Sequence, residues 1–312
     1  MKVTQREKRF PSATGLCDIR YRMWIPDDPH AALQITHGMA EHIDRYDDFA
    51  SFLAENGVLV YGFDIAGHGK SLGANGVKGY FGKENGWDAV LQDMRTLRDI
   101  VKKEFPALPY ILMGHSMGSF LARTYAGRDG KDFDAFIFSG TAGKNPVLGV
   151  AKWLAKREIK KTGGDKPSQT LYELSFGSYN KAFRPNRTEM DWLSRDEAKV
   201  DQYVADELCG FPFTASAMLD LFNGLGEVSS EAWAARVPKR PILVMSGACD
   251  PVGGNGKGVK QVFGWLVKTG HEADCKLYPE GRHEMLNEFN RAEVYNDILL
   301  FINAVEAMGE VG

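Results

Sequence analysis

At 312 residues the chain is long for one compact core and short for two independent domains, which suits a single α/β body carrying an insertion. Its composition, 44% hydrophobic and 25% charged, is ordinary for a globular protein. A net charge of -3 and a pI near 6.2 leave no basic field for nucleic acid and no polybasic hold on a membrane surface, so small neutral substrates are the default.

In chain order, the opening Met1–Phe10 carries charges but no apolar signal segment, and no run of 18 apolar residues follows anywhere. A secreted or membrane-spanning form is therefore not expected, and the expectation is a cytoplasmic protein. Lys8–Ala13 and Asp18–Ile25 read as a β-hairpin and Ala32–Thr36 as a buried strand. Arg45–Asn56 reads as an amphipathic helix closed by Gly57, and Val58–Asp64 as another strand. Glu84–Phe105 has apolar residues at helical spacing and stops before Pro106. Tyr110–Met113 is a strand that runs into Gly114-His115-Ser116-Met117-Gly118, with the helix-like Ser119–Ala126 behind it. Phe133–Ser139, Pro241–Ser246 and Asp274–Tyr278 are further strands, and Arg291–Met308 closes the chain as a helix. This alternation predicts a mostly parallel central sheet flanked by helices.

Between Gly143 and about Arg236 the alternation stops, and several short helices without strands are predicted. The expected division is an α/β core over 1–143 and 237–312, with a helical cap over 144–236. Most of the cap's apolar residues (Trp153, Leu154, Leu171, Tyr172, Phe176, Tyr179, Phe183, Trp192, Phe211, Phe213, Met218, Leu219, Leu221, Phe222) form its own small core. A few of them are expected to line an acyl pocket. Thr162–Ser168 reads as a mobile lid loop.

The strand–Gly-x-Ser-x-Gly–helix order marks a nucleophile elbow, where a sharp turn lifts the Ser116 hydroxyl clear of the sheet and only small residues fit beside it. A serine needs a base, and the base needs a group that holds its tautomer. In a doubly wound sheet these emerge at the carboxyl ends of strands. Asp250 follows one predicted strand and His283 the next, in the chain order Ser, Asp, His. Asp274 and Asp220 compete with Asp250 for the acidic role. Of the other histidines, His30 and His271 are expected in polar loops away from partners, and His115 pointing off the elbow. His37 and His68 are expected to tie loops together at the floor of the site. The oxyanion is expected to be held by the backbone N–H of Met117 and, from the His37–His42 loop that Gly38 makes approachable, of Met39. Cys17, Cys209, Cys249 and Cys275 have no C-x-x-C spacing and no adjacent histidine cluster, so neither a metal nor a redox dithiol is expected, and no cofactor is needed.

Together the His37–His42 loop, Asp64–Ser71, the Gly114–Gly118 elbow, Gly247–Val252 and Gly281–Glu284 resemble the monoacylglycerol lipase and lysophospholipase group of α/β-hydrolases, which is similar to the serine aminopeptidase branch. One departure is the glycine-rich Pro251–Gly258 loop after the acid. The resemblance implies an α/β-hydrolase fold and a serine esterase acting on a single-acyl lipid or similar ester under a helical cap, with transient contact between cap and membrane surface. Two alternatives stand beside it. An aminopeptidase needs an acidic group for the substrate amine, for which Glu41, Asp196, Glu197, Asp201, Asp206 and Glu207 are candidates; the other alternative is a non-catalytic binding or scaffold homologue.

Overall fold

Buried β-branched and aromatic runs punctuated by glycine and proline build eight strands among residues 2–309, which the computed structural model describes. They are β1 (Val3–Pro11), β2 (Asp18–Pro26), β3 (Ala31–Thr36), β4 (Val58–Phe63), β5 (Tyr110–His115), β6 (Ala135–Ser139), β7 (Ile242–Gly247) and β8 (Ala273–Tyr278). One sheet holds them in the order β1-β2-β4-β3-β5-β6-β7-β8. Strand β2 runs antiparallel to both β1 and β4, and all later pairings are parallel.

Side chains alternate between the two faces with the strand period of two. On β5, Tyr110 and Leu112 enter one core and Ile111 and Met113 the other. Helices α1 (Asp47–Glu55) and α10 (Arg291–Gly309) cover the second face, while α2 (Gly86–Glu104), α3 (Met117–Asp129) and α9 (Lys257–Lys268) cover the first. Both faces are dry, which is why the central strands β3 to β7 are buried at nearly every residue.

Between β6 and β7 the chain forms α4 (Leu148–Thr162), α5 (Gln169–Phe176), α6 (Glu197–Ala205), α7 (Ala215–Val228) and α8 (Glu231–Ala234). Helix α7 packs against α4 and also against α2 and α3, so it belongs as much to the layer over the sheet as to the helices above it. Two local expectations are corrected and one helix is added. The hairpin begins at Val3 rather than Lys8, because charged β1 residues face solvent on an edge strand while their backbones still pair with β2. Helix α9, with Val259, Val262 and Leu266 buried on one side, had been hidden behind the glycine-rich run before it. Segment Thr162–Ser168 is tied down rather than loose: Pro167 bridges Thr214, and the Ser168 and Ser216 N–H groups donate to Phe213 O (2.9 Å) and Gly164 O (3.1 Å).

Candidate active site

Strands β3 and β5 lie side by side with Thr36 opposite Gly114, so the loop after β3 and the turn after β5 leave the sheet as neighbours. The chain passes from β3 to β4 on one side and returns to β5 on the other. This reversal opens a crevice at the carboxyl ends of the strands.

Ser116 stands in that crevice at φ 52° and ψ -121°, a conformation that costs a non-glycine residue about 1–3 kcal/mol. Its N–H donates to Ser139 O at 2.9 Å, and the Ser119 hydroxyl donates to Ser116 O at 2.6 Å. The flanking glycines permit the turn by having no side chain. A Cβ on Gly114 would overlap the carbonyl oxygen of Gly118, and one on Gly118 would overlap that of Thr36.

Asp250 stands three residues beyond β7, fully buried, and His283 five beyond β8. The His283 Nδ1–H donates to Asp250 Oδ2 at 3.0 Å, the same oxygen takes the Ser246 hydroxyl at 2.7 Å, and Asp250 Oδ1 takes the Val252 N–H at 2.9 Å. Burial alone would raise the Asp250 pKa, but the adjacent imidazole and these donors outweigh it and hold the carboxyl below its usual range. For His283 burial opposes the charged form, yet the charge and hydrogen bond of Asp250 win and raise its pKa above 6.5. The structure thus joins Asp250, rather than Asp274 or Asp220, to the imidazole. Asp274 is exposed on β8, and Asp220 is half-buried beside Gly86 at the start of α2.

The Ser116 hydroxyl and His283 line one pocket, but among the described residues no hydrogen bond joins them. Hydrogen bonds of this kind commonly close only around a substrate. Gly38 and Met39 line the same pocket, and a Cβ on Gly38 would lie 3.2 Å from Ser116 Cβ, so this loop passes directly over the serine. Met117 opens α3, where a first-turn N–H has no partner within the helix and the helix dipole favours negative charge. A hydroxyl beside a carboxylate-held imidazole can be deprotonated, and a helix N-terminus can shelter an oxyanion.

His115, His271 and His30 depart from the sequence reading, while His37 follows it. His115 faces inward, its ring centroid 4.7 Å from that of His283, and burial lowers its pKa to about 4. His271 is buried and bonded to Val237 O at 3.0 Å, and His30 pairs with Asn303 at 3.1 Å. His37 ties loops together, accepting the Ile65 N–H at 3.0 Å and donating to Gly38 O at 2.8 Å. His68 sits among Phe81, Phe211 and Phe213.

Two groups escaped the sequence reading. Arg45 makes two bonds to Glu284, at 2.7 and 2.6 Å, and one to Glu41 at 2.6 Å, while Glu41 accepts the Gly38 N–H at 2.5 Å and the Tyr46 hydroxyl at 2.9 Å. This network joins the loop over Ser116 to the loop carrying His283; the one sequence signal was the acid–base spacing of Glu41 and Arg45. Trp192 lies over His283 at 5.1 Å between ring centroids, and the N–H of Glu284 donates to Leu193 O at 2.7 Å. No local pattern predicts that contact, because Trp192 lies in a turn of the insertion, far along the chain from His283.

The profile of the family described as "Serine aminopeptidase, S33" matches residues 27–290. A monoacylglycerol lipase of Mycolicibacterium smegmatis is 30% identical over 96% of this chain and 97% of its own. Human monoglyceride lipase is 28% identical over 90% of this chain and 84% of its own. The crystal structure of a thermostable carboxyl esterase from Bacillus coagulans, in complex with glycerol, is 32% identical with a TM-score of 0.92, covering 98% of this chain and 100% of that one. Strand order, elbow geometry and these likenesses agree: the chain belongs to the serine aminopeptidase S33 family of α/β-hydrolases and is similar to its monoacylglycerol lipases.

Proposed function

We propose that the protein is a serine hydrolase that cleaves the carboxylic ester of monoacylglycerol or a similar single-acyl lipid. Ser116 is the nucleophile, His283 the base that takes its proton and returns it to the leaving alcohol, and Asp250 the group that fixes the imidazole tautomer. Met39 and Met117 N–H groups hold the oxyanion, and water then hydrolyses the acyl-enzyme. The observation that carries this reading is a serine held at φ 52° in the same apolar pocket as an imidazole already bonded to a buried carboxylate.

Met39, Tyr172, Phe176, Met190, Trp192 and Leu193 give that pocket its apolar lining, which suits an acyl chain. Its free space of about 40 Å³ holds water rather than a lipid tail, so the helices over residues 144–236 act as a cap that moves to admit substrate. Val147, Val150 and Trp153, at and along the lysine-bearing α4, and Leu174 on α5 are exposed, an arrangement suited to transient contact with a membrane surface. No described helix is long and apolar enough to cross a membrane. All four cysteines are free thiols, the usual state in a reducing compartment, and we place the protein in the cytoplasm.

An aminopeptidase needs an unpaired carboxylate for the substrate amine. The two that line the pocket, Glu41 and Glu284, are both bonded to Arg45, which favours ester over aminoacyl substrates. Labelling by a fluorophosphonate, lost in Ser116→Ala, together with faster hydrolysis of p-nitrophenyl esters than of aminoacyl anilides, is the expected result. Absence of labelling in the folded protein would instead support a binding or scaffold role. A chain-length series of monoacylglycerols and lysophospholipids then defines the substrate.

A further inference from the structure

We propose that His42, Asp206 and Cys209 form a binding site for a thiophilic divalent cation, with zinc the best fit to the ligand set. His42 comes from the loop after β3, three residues beyond Met39, while Asp206 and Cys209 occupy one Asp-x-x-Cys turn directly after α6. A ring nitrogen, a carboxylate oxygen and the thiol sulfur of the three lie within 4.8 Å of one another. Sequence spacing concealed this, since 164 residues separate the histidine from the turn.

The turn is built before any ion arrives. Cys209 N–H donates to Asp206 O at 2.9 Å and Leu208 N–H to Asp206 Oδ1 at 2.8 Å. Gly210 N–H and the Tyr203 hydroxyl both reach Ala40 O at 3.0 Å, which pins the turn against the His42 loop. Asp206 Oδ2 is 2.8 Å from His42 Nε2, while the other ring nitrogen, Nδ1, is buried with no partner among the described residues. A plain histidine–carboxylate pair does not account for the thiol beside it.

A nitrogen, sulfur and oxygen donor set selects zinc-like ions over calcium or magnesium, which take oxygen ligands. Tetrahedral zinc separates its ligands by roughly 3.3–3.8 Å, given bond lengths of about 2.0–2.3 Å, so small side-chain rotations suffice and a fourth position is left for water. On binding, the Cys209 thiol becomes a thiolate and its proton passes to solvent, while the His42 ring proton leaves the liganding nitrogen for the other ring nitrogen. The ion would staple the turn after α6 to the loop that carries Met39.

Chelator-stripped, reduced, full-length protein titrated with Zn²⁺ by calorimetry and with Co²⁺ by absorbance tests this. One saturable equivalent is expected, with a thiolate-to-cobalt charge-transfer band in the near ultraviolet. Cys209→Ser should abolish the band, and both Cys209→Ser and Asp206→Asn should weaken binding at least about 100-fold, since even outer partners of a metal ligand contribute 10–100-fold. Cys17→Ser and Cys275→Ser should change neither, and circular dichroism verifies that each variant is folded. No saturable binding by the wild type, or an unchanged affinity and band in folded Cys209→Ser, would overturn the proposal. The readout is metal binding, so it stands or falls independently of the hydrolytic reading.

Discussion

A base must be neutral to accept a proton, and the environment of His283 makes that demand measurable. Burial lowers its pKa, but the charge of Asp250 and their 3.0 Å bond outweigh burial and carry the value above 6.5. Ester hydrolysis is expected to rise with pH through a midpoint above 6.5. Asp250→Asn should move that midpoint down and cut kcat by about 10⁴-fold, through loss of the tautomer-fixing charge. Profiles of kcat/KM against pH for both proteins check this; an unmoved midpoint would remove Asp250 from the proposed role. Beside the serine, Gly114→Ala should lower stability by about 3 kcal/mol, because the new methyl meets the rigid Gly118 carbonyl. Thermal melting reads that loss directly.

Among elements, the strand ends aim the chemistry and the inserted helices shape what reaches it. Ser116, Asp250 and His283 were legible as candidates because each follows a predicted strand and a turn that contains glycine, a local pattern. Helix α9 was not, since six residues rich in glycine precede it and mask its start, although Val259, Val262 and Leu266 repeat at helical spacing. The pocket wall was legible only as a pool of apolar residues. Which of them face the serine depends on how α5 and the segment around Trp192 fold down. Trp192→Ala removes the ring above His283 and is expected to shift preference toward longer or bulkier acyl chains. Each extra buried methylene is worth about 0.8 kcal/mol, roughly fourfold in kcat/KM. An unchanged chain-length profile would show that the tail runs elsewhere.

Across the whole molecule, Arg123 is buried without a carboxylate partner among the described residues, and burial lowers its pKa to about 9. It donates to Thr141 Oγ1 and Ala142 O, where the chain enters the insertion, and to Val228 O, where α7 ends. Arg123→Met would leave two carbonyls and a hydroxyl without their donor, at about 1–3 kcal/mol each, and should lower the melting temperature and loosen the cap as read by hydrogen exchange. Three buried histidines add an acid sensitivity. His37, His68 and His115 stay neutral in the folded chain down to about 3, 3 and 4, but gain a proton near 6.5 when unfolded. The unfolded chain therefore binds more protons in that window, and stability falls with pH by about 1.4 kcal/mol per unit for each. His283 has the opposite sign, its contribution being full below 6.5 and lost as pH rises through its folded value. Melting temperatures are expected to drop between pH 6.5 and 4.5, and His68→Leu to flatten that slope.

By itself the sequence determined the alternation that makes a parallel sheet, the glycine-flanked elbow, and the placement of an acid and a histidine just past later strands. These are short-range signals, carried by a few neighbouring side chains and the strand and helix periods. Only the tertiary structure decided the inward turn of His115, the Glu41–Arg45–Glu284 network, the second allegiance of α7 to the sheet layer and the meeting of His42 with Asp206 and Cys209. Each joins segments far apart in the chain, and burial and register over the whole sheet, rather than any local pattern, bring such segments together.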